Sequence, residues 1–220
     1  MEAETPLQPV LGFVRTLKRH NNRDWFQAHR AEFEVARAHF EDVEATLLHE
    51  LSRTEPLADL SPRDCILRLN RDLRFTKDKA PYKPYLSAYI GPGGRKSRRM
   101  GYYVHLEPGN SMLAGGLHEP EPHQLASWRT TIDRDPRPLK KIAAAAAFRR
   151  TFGEVHGERL KTVPRGYPRD HPEADLLCLK SITAIRQVTG AQVLSSEFLR
   201  QTLDTFKAMK PFLRYLDSRP

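Results

Sequence analysis

The sequence contains little cysteine and no long hydrophobic run. Its 220 residues include two cysteines, Cys65 and Cys178, which are isolated and lack the paired spacing of zinc ligands. The longest apolar run, residues 142–148, is mostly alanine and too short to cross a membrane. The start, MEAETPLQPV, carries acids where a signal peptide carries basic residues. These absences predict a cytoplasmic protein with no membrane partner and no disulfide.

The sequence also lacks the common catalytic and cofactor motifs. It contains no phosphate-binding loop, dinucleotide fingerprint, serine nucleophile elbow or zinc spacing. The segment HEPEPH, residues 118–123, has two histidines and two acids, but its prolines prevent the helical i, i+4 pairing of metal ligands. We therefore predict no metal site, and the sequence identifies neither a cofactor nor an oligomeric state.

Positive charge is abundant and unevenly distributed. The net charge is +9, and residues 61–100 alone contain eleven Lys or Arg against three Asp or Glu. Such a concentration of charge attracts anionic partners but does not distinguish among them. The expected partner is an anionic small molecule or a nucleic acid.

Hydrophobic periodicity predicts an α+β fold. Residues 7–53 have helical spacing, with Asn22 as a cap between a first helix and a long second one. Residues 64–117 change to a period of two and predict an antiparallel meander that begins with CILRLNRDLRF. Residues 118–217 return to helical patterns with one or two further strands, one of them just before Pro164. We predict a single domain over residues 1–220, with the meander flanked by N-terminal and C-terminal helices.

Two candidates for acid–base chemistry lie in the predicted strand GYYVHLEP. Side chains alternate along a strand, so Tyr103, His105 and Glu107 share one face, which we expect to be open if the other face packs on the core. His105 and Glu107 supply an acid–base group and a carboxylate, and we predict them as catalytic residues if the protein is an enzyme. The alternative interpretation of His105 is a core histidine with satisfied hydrogen bonds.

The segment RDLRFTKDKAPYK, residues 71–83, mixes cations and acids more closely than a solvent-exposed strand requires. Together with Arg68 it resembles the signature of an uncharacterised family, catalogued as domain of unknown function 2461 and found mainly in bacteria and fungi. The blocks NNRDWF, AGGL and RGYPRDHP are similar as well. The resemblance implies no activity, substrate or cofactor. The signature residues are Arg68, Arg71, Asp72, Arg74, Phe75, Asp78, Lys79 and Tyr82.

Three functions agree with these patterns. The first is a cleft that binds a phosphorylated or carboxylated ligand, since arginine forms bidentate contacts with such anions. The second is a nucleic-acid-binding module that uses the basic hairpin at residues 94–99, and the third is a protein-interaction module. A purely structural ion-pair network is the alternative interpretation of the signature. The predicted ligand-binding residues are Arg68, Arg71, Asp72, Arg74, Asp78, Lys79, Tyr82, Lys83, Tyr103 and Lys180.

Overall fold

The computed structural model describes residues 6–57, 59–74, 79–97 and 99–218. Within these ranges the strands form one antiparallel sheet in the order β1-β2-β3-β4, with helices before and after it in the chain. The predicted α+β class is confirmed. The helices are Gln8–Arg19 (α1), Arg23–Ala28 (α2), Arg30–Ser52 (α3), Pro62–Cys65 (α4), Pro122–Arg134 (α5), Arg137–Ala144 (α6), Ala146–Phe152 (α7), Ala174–Leu177 (α8), Gly190–Val193 (α9) and Phe198–Asp217 (α10), and the strands are Leu86–Ile90 (β1), Tyr102–Leu106 (β2), Ser111–Leu117 (β3) and Ile182–Val188 (β4).

The chain divides into two compact units. The first comprises Met1–Arg99, Tyr103–Leu113 and Gln187–Asp204. The second comprises Met100–Tyr102, Ala114–Arg186 and Thr205–Pro220. The single domain over residues 1–220 stays a prediction.

The first unit is built on aromatic packing among its N-terminal helices. The ring of Phe13 in α1 lies 6.4 Å from the ring of Phe26 in α2 and 5.5 Å from that of Phe33 in α3. Asn22 caps α2 as predicted, because its side chain accepts a hydrogen bond from the backbone N–H of Trp25. The predicted long second helix is instead two helices that meet at His29.

The predicted first strand, CILRLNRDLRF, is wrong. Pro62 and the Ser61–Asp64 capping box make residues 62–65 a helical turn. In the described residues that follow, 66–74, the pairing is limited to the isolated bridges Ile66↔Ala88 and Asn70↔Tyr82. The facing segment contains prolines at positions 81 and 84, which have no N–H to donate to a ladder. The regular sheet therefore begins at β1 instead of near residue 64.

The second unit buries aromatic side chains of its helices. Phe148 in α7 packs on Phe212 in α10 with ring centres 5.5 Å apart, and α10 continues through Pro211. The predicted strand before Pro164 is also wrong, since residues 156–159 form isolated bridges with Thr183 and Leu179. None of the described helices has the length and apolar character needed to cross a membrane.

Candidate functional site

Strand β2 brings a tyrosine, a histidine and a glutamate together. Nδ1 of His105 lies 3.2 Å from the hydroxyl oxygen of Tyr103. Nε2 of His105 lies 3.3 Å from Oε2 of Glu107. The three side chains occupy one face of the strand, as the alternation of the sequence predicts.

Glu107 is held by donors from two other parts of the first unit. Nζ of Lys18, at the end of α1, donates to Oε1 at 2.8 Å, and Nδ2 of Asn110 donates to Oε2 at 3.1 Å. Although burial acts to raise the pKa of Glu107, the hydrogen bonds from Lys18, Asn110 and His105 lower it overall. An ionised Glu107 only accepts hydrogen bonds, so His105 carries its proton on Nε2 and its Nδ1 accepts from Tyr103.

The expectation that His105 lies on an open face is wrong. His105 is 5% exposed, because the ring of Tyr85 covers it with ring centres 4.1 Å apart. Burial lowers the pKa of His105, and the hydrogen bond and charge of Glu107 offset only part of this effect. The imidazole is therefore neutral near pH 7, the state in which it accepts a proton.

Tyr85 also connects this histidine to the basic segment. Nζ of Lys83 lies 5.8 Å from the centre of the Tyr85 ring, within the range of a cation–π contact. Burial lowers the pKa of Lys83, and the nearby charges of Arg68 and Arg71 lower it further. The structure thus brings three of the predicted ligand-binding cations into one neighbourhood, beside the tyrosine that covers His105.

Other signature residues have contacts of their own, although the charge of Arg68 also acts on Asp72. Nη2 of Arg74 pairs with Oδ2 of Asp72 at 2.7 Å, with side chains that are 77% and 38% exposed, and this pairing lowers the pKa of Asp72. Nζ of exposed Lys79 donates to the carbonyl oxygen of Leu73 at 3.2 Å. An exposed pair between near neighbours contributes little stability. Phe75 and Asp78 lie outside the described residues.

Tyr82 belongs to the core of the first unit. Its ring stacks on Phe26 with centres 4.3 Å apart, and it is 5% exposed. The side-chain amide of Asn21 donates to the carbonyl oxygen of Tyr82 at 2.8 Å and accepts from its N–H at 3.1 Å. These contacts tie the NNRDWF block to the signature segment, which gives Tyr82 a structural role.

Lys180 lies in the second unit, where its Nζ pairs with Oε2 of Glu158 at 2.6 Å. This ion pair lowers the pKa of Glu158. No three His, Cys, Asp or Glu side chains of the described ranges are grouped so that they could hold a metal ion.

Sequence reasoning missed Lys18, Tyr85 and Asn110 as members of the site. Tyr85 had a usable signal in the sequence, since it stands two residues before Ser87 in the period-two run that forms β1 and so shares a face with it. The structure places Ser87 in hydrogen-bond contact with Tyr103. Lys18 had none, because 89 positions separate it from Glu107.

Replacing His105 by glutamine is expected to remove a loss of stability that the native protein shows on acidification. Folding lowers the pKa of His105 below its ordinary value of 6.5. Just below pH 6.5, the imidazole therefore becomes protonated in the unfolded chain while it stays neutral in the folded protein. Unfolding is then favoured by up to about 1.4 kcal/mol per pH unit. Urea denaturation at pH 7.5 and 5.5 measures the effect, and the variant should gain stability relative to the native protein at the lower pH. An equal difference at both pH values would contradict the assignment.

These observations define a basic α+β protein with a buried Tyr–His–Glu network on its sheet. The family described as "Conserved hypothetical protein (DUF2461)" matches residues 9–215, and the chain belongs to this family. No curated protein and no solved structure significantly matches the chain.

Proposed function

We propose that the first unit binds a small phosphorylated or carboxylated ligand at the sheet cluster, defined as Lys83, Tyr85, Tyr103, His105 and Glu107. The observation that carries the proposal is the continuous contact from Lys83 through Tyr85 to His105. This contact joins the most basic segment of the chain to the acid–base pair of β2. A binding group and a proton-transfer group are then adjacent, which is what chemistry on a bound anion requires.

Electrostatics favours an anion at this cluster. Burial lowers the pKa of Lys83, and the charges of Arg68 and Arg71 lower it further, so both guanidinium groups lie near enough to repel its ammonium group. A phosphate or carboxylate bound among them would relieve this repulsion, and Arg and Lys make charge-assisted hydrogen bonds to such groups. Half-buried Lys83 is the cation on which the proposal chiefly depends.

We assign acid–base roles within the cluster from its hydrogen bonds. The neutral His105 is the proton acceptor, and Glu107 would stabilise the imidazolium that results. Tyr103 is the half-buried member of the network, and its hydroxyl oxygen lies 3.2 Å from Nδ1 of His105, to which it would donate when Nε2 carries the proton. Proton transfer to or from a ligand would therefore pass through Tyr103.

Nucleic-acid binding is a second candidate, favoured by exposed cations between β1 and β2. Residues Gly94–Lys96 form a helical turn in which Arg95 and Lys96 are exposed. Arg95, however, donates to the carbonyl oxygen of Arg63, so part of this charge is held against α4. An interaction with nucleic acid would show a fall of roughly 0.7–0.9 log units in affinity per decade of salt for each phosphate neutralised.

Lys83→Met is expected to weaken binding of a small anion at least tenfold. The substitution keeps an unbranched side chain that is one atom shorter, and it removes a charge-assisted hydrogen bond worth about 1.5–3 kcal/mol. Pyrophosphate, adenosine monophosphate, glucose 6-phosphate and citrate are first compared by thermal stabilisation of the native protein. The most effective probe is then titrated calorimetrically into the native protein and the variant.

Lys96→Met is the matched control, since it makes the same chemical change at an exposed position of the hairpin. It should change the affinity for the small anion less than twofold. Equal losses in both variants, or stabilisation by none of the four probes, would contradict the proposal. A loss of oligonucleotide binding in Lys96→Met alone would favour the second candidate.

We also propose a cytoplasmic location and a bacterial source. Both cysteines, Cys65 and Cys178, are free thiols, which is the expected state in a reducing compartment. The source is proposed from the resemblance to a family found mainly in bacteria and fungi.

A further inference from the structure

The first unit contains a cleft of about 350 Å³ that the sheet cluster does not use. Its apolar walls include Phe33 and Phe40 of α3 and Leu86 of β1. Four arginines line it as well: Arg37, Arg63, Arg68 and Arg95. The volume lies at the lower end of the range for small-molecule sites, and the lining combines apolar surface with a few charged groups as such sites do.

The charged side chains that line this arginine cleft are all positive. Among the described residues, Glu41 pairs with two of these arginines: Oε1 lies 2.9 Å from Nε of Arg37, and Oε2 lies 3.9 Å from Nε of Arg63. The guanidinium of Arg95 donates to the carbonyl oxygen of Arg63, which holds it at the cleft. The charges of Arg95 and Arg68 also act on Asp64 and Asp72. Among the described residues, these acids and Glu41 lie near the guanidinium groups, whereas the lining itself contains four arginines and no carboxylate.

We propose that the arginine cleft binds a small amphipathic anion, namely a carboxylate or phosphate carried by one aromatic ring or a short alkyl chain. The apolar part of such a molecule would cover the partly exposed walls formed by Phe33, Ile66 and Leu67, which favours binding through the hydrophobic effect. The anionic group would lie among the guanidinium groups, which bind carboxylate and phosphate in bidentate fashion. An inorganic anion would leave the apolar walls uncovered, and a neutral apolar molecule would leave the guanidinium groups without an anionic ligand.

This inference goes beyond the proposed function, because it concerns a different set of side chains. Arg68 is the member that both regions share: it lines the cleft, and its charge acts on Lys83. The variants that test the cleft therefore leave Arg68 unchanged.

Calorimetric titration with 4-phenylbutyrate tests the proposal directly. Acetate carries the same charged group without the apolar part, and 4-phenylbutanamide carries the apolar part without the charge. We expect 4-phenylbutyrate to bind at least tenfold more tightly than either analogue. Equal binding of the amide would show a site for apolar molecules in general, and equal binding of acetate would show unspecific charge attraction. Either result, or no binding of 4-phenylbutyrate, overturns the proposal.

A matched pair of variants on α3 locates the binding site. Arg37 and Arg30 each pair with a glutamate four residues later, Glu41 and Glu34, but only Arg37 lines the cleft. Arg37→Met is expected to weaken 4-phenylbutyrate binding at least tenfold, since it removes one positive charge and leaves Glu41 less compensated. Arg30→Met should change it less than twofold, and equal effects of the two variants would overturn the assignment.

Two further measurements separate this site from the sheet cluster. Leu67→Trp, at a half-buried position of the cleft wall, should block 4-phenylbutyrate while the circular dichroism spectrum stays native. Lys83→Met should leave 4-phenylbutyrate binding within twofold of the native protein. If Lys83→Met abolishes binding and Arg37→Met does not, the ligand occupies the sheet cluster and the cleft proposal fails. If the small anions show no binding that depends on Lys83, while 4-phenylbutyrate binding depends on Arg37, only the proposed function is contradicted.

Discussion

The Gly116→Ala variant is expected to lose more than about 3 kcal/mol of stability or to fail to fold. Gly116 lies in β3 with a φ of +124°, where residues with a side chain are rarely found. A Cβ atom would lie 2.3 Å from the carbonyl oxygen of Ile182 and 3.0 Å from Cα of Thr183. Both atoms belong to the backbone of β4, the neighbouring strand, so only separation of the strands relieves the contact. The AGGL block therefore contains a glycine at which two strands approach too closely for any side chain.

Gly12→Ala is the matched control for this prediction. Gly12 lies within α1, and a Cβ atom there would meet nothing within 4 Å. Alanine should therefore stabilise the helix by about 0.5–1 kcal/mol. Urea denaturation of both variants measures the two effects, which have opposite signs. A Gly116→Ala protein with a native unfolding midpoint would show that β3 and β4 do not approach each other this closely.

The Glu44→Gln variant is expected to be more stable than the native protein at neutral pH. Glu44 in α3 is fully buried, and neither carboxylate oxygen has a hydrogen-bond partner among the described residues. Burial raises its pKa from 4.5 to about 8. Cys65 lies in the same environment. Burial raises the pKa of its thiol to about 12, and the charge of Glu44 contributes to this increase. A buried carboxyl group without partners stays protonated at pH 7 because the charged form is poorly solvated there.

The effect of Glu44→Gln should depend on pH in a defined direction. Between pH 4.5 and about 8 the unfolded chain releases the Glu44 proton while the folded protein keeps it, so the native protein loses stability as the pH rises. Glutamine cannot ionise, so the variant avoids this loss. Its advantage should be near zero at pH 4.5 and on the order of 3 kcal/mol at pH 7.

Urea denaturation at pH 4.5 and pH 7 tests this dependence. Asp42→Asn, at an exposed position two residues earlier in α3, is the control and should have a small effect at both pH values. A Glu44→Gln effect that is the same at both pH values would show that the carboxyl group is solvated or paired in the folded protein.

The position of Glu44 shows how much information helical periodicity carries. Phe40, Glu44, Leu47 and Leu51 follow one another at helical spacing, and all four are buried. The register of the second predicted helix therefore already placed this glutamate on the apolar face. Periodicity does not predict whether the Glu44 carboxyl group has a hydrogen-bond partner, because that depends on which side chains of other elements face it.

The meander shows the opposite situation, in which a local pattern was overridden. The segment after α4 has the alternation of a strand, yet its described residues 66–74 pair at isolated bridges and form no regular strand, because the segment opposite carries Pro81 and Pro84. A strand needs a partner with free N–H groups, so its own sequence is insufficient evidence. Where the partner was regular, as for β2 and β3, the alternation predicted the strand correctly.

The sequence by itself determined the α+β class, most helices, the strands β1 to β4 and the common face of Tyr103, His105 and Glu107. These features depend on side-chain periodicity and on capping residues, which act over a few positions. Only the tertiary structure decided that Lys18 reaches Glu107, that Tyr85 covers His105, and that Lys83 approaches this tyrosine. Such contacts depend on how elements far apart in the chain pack together, and no local pattern records that packing.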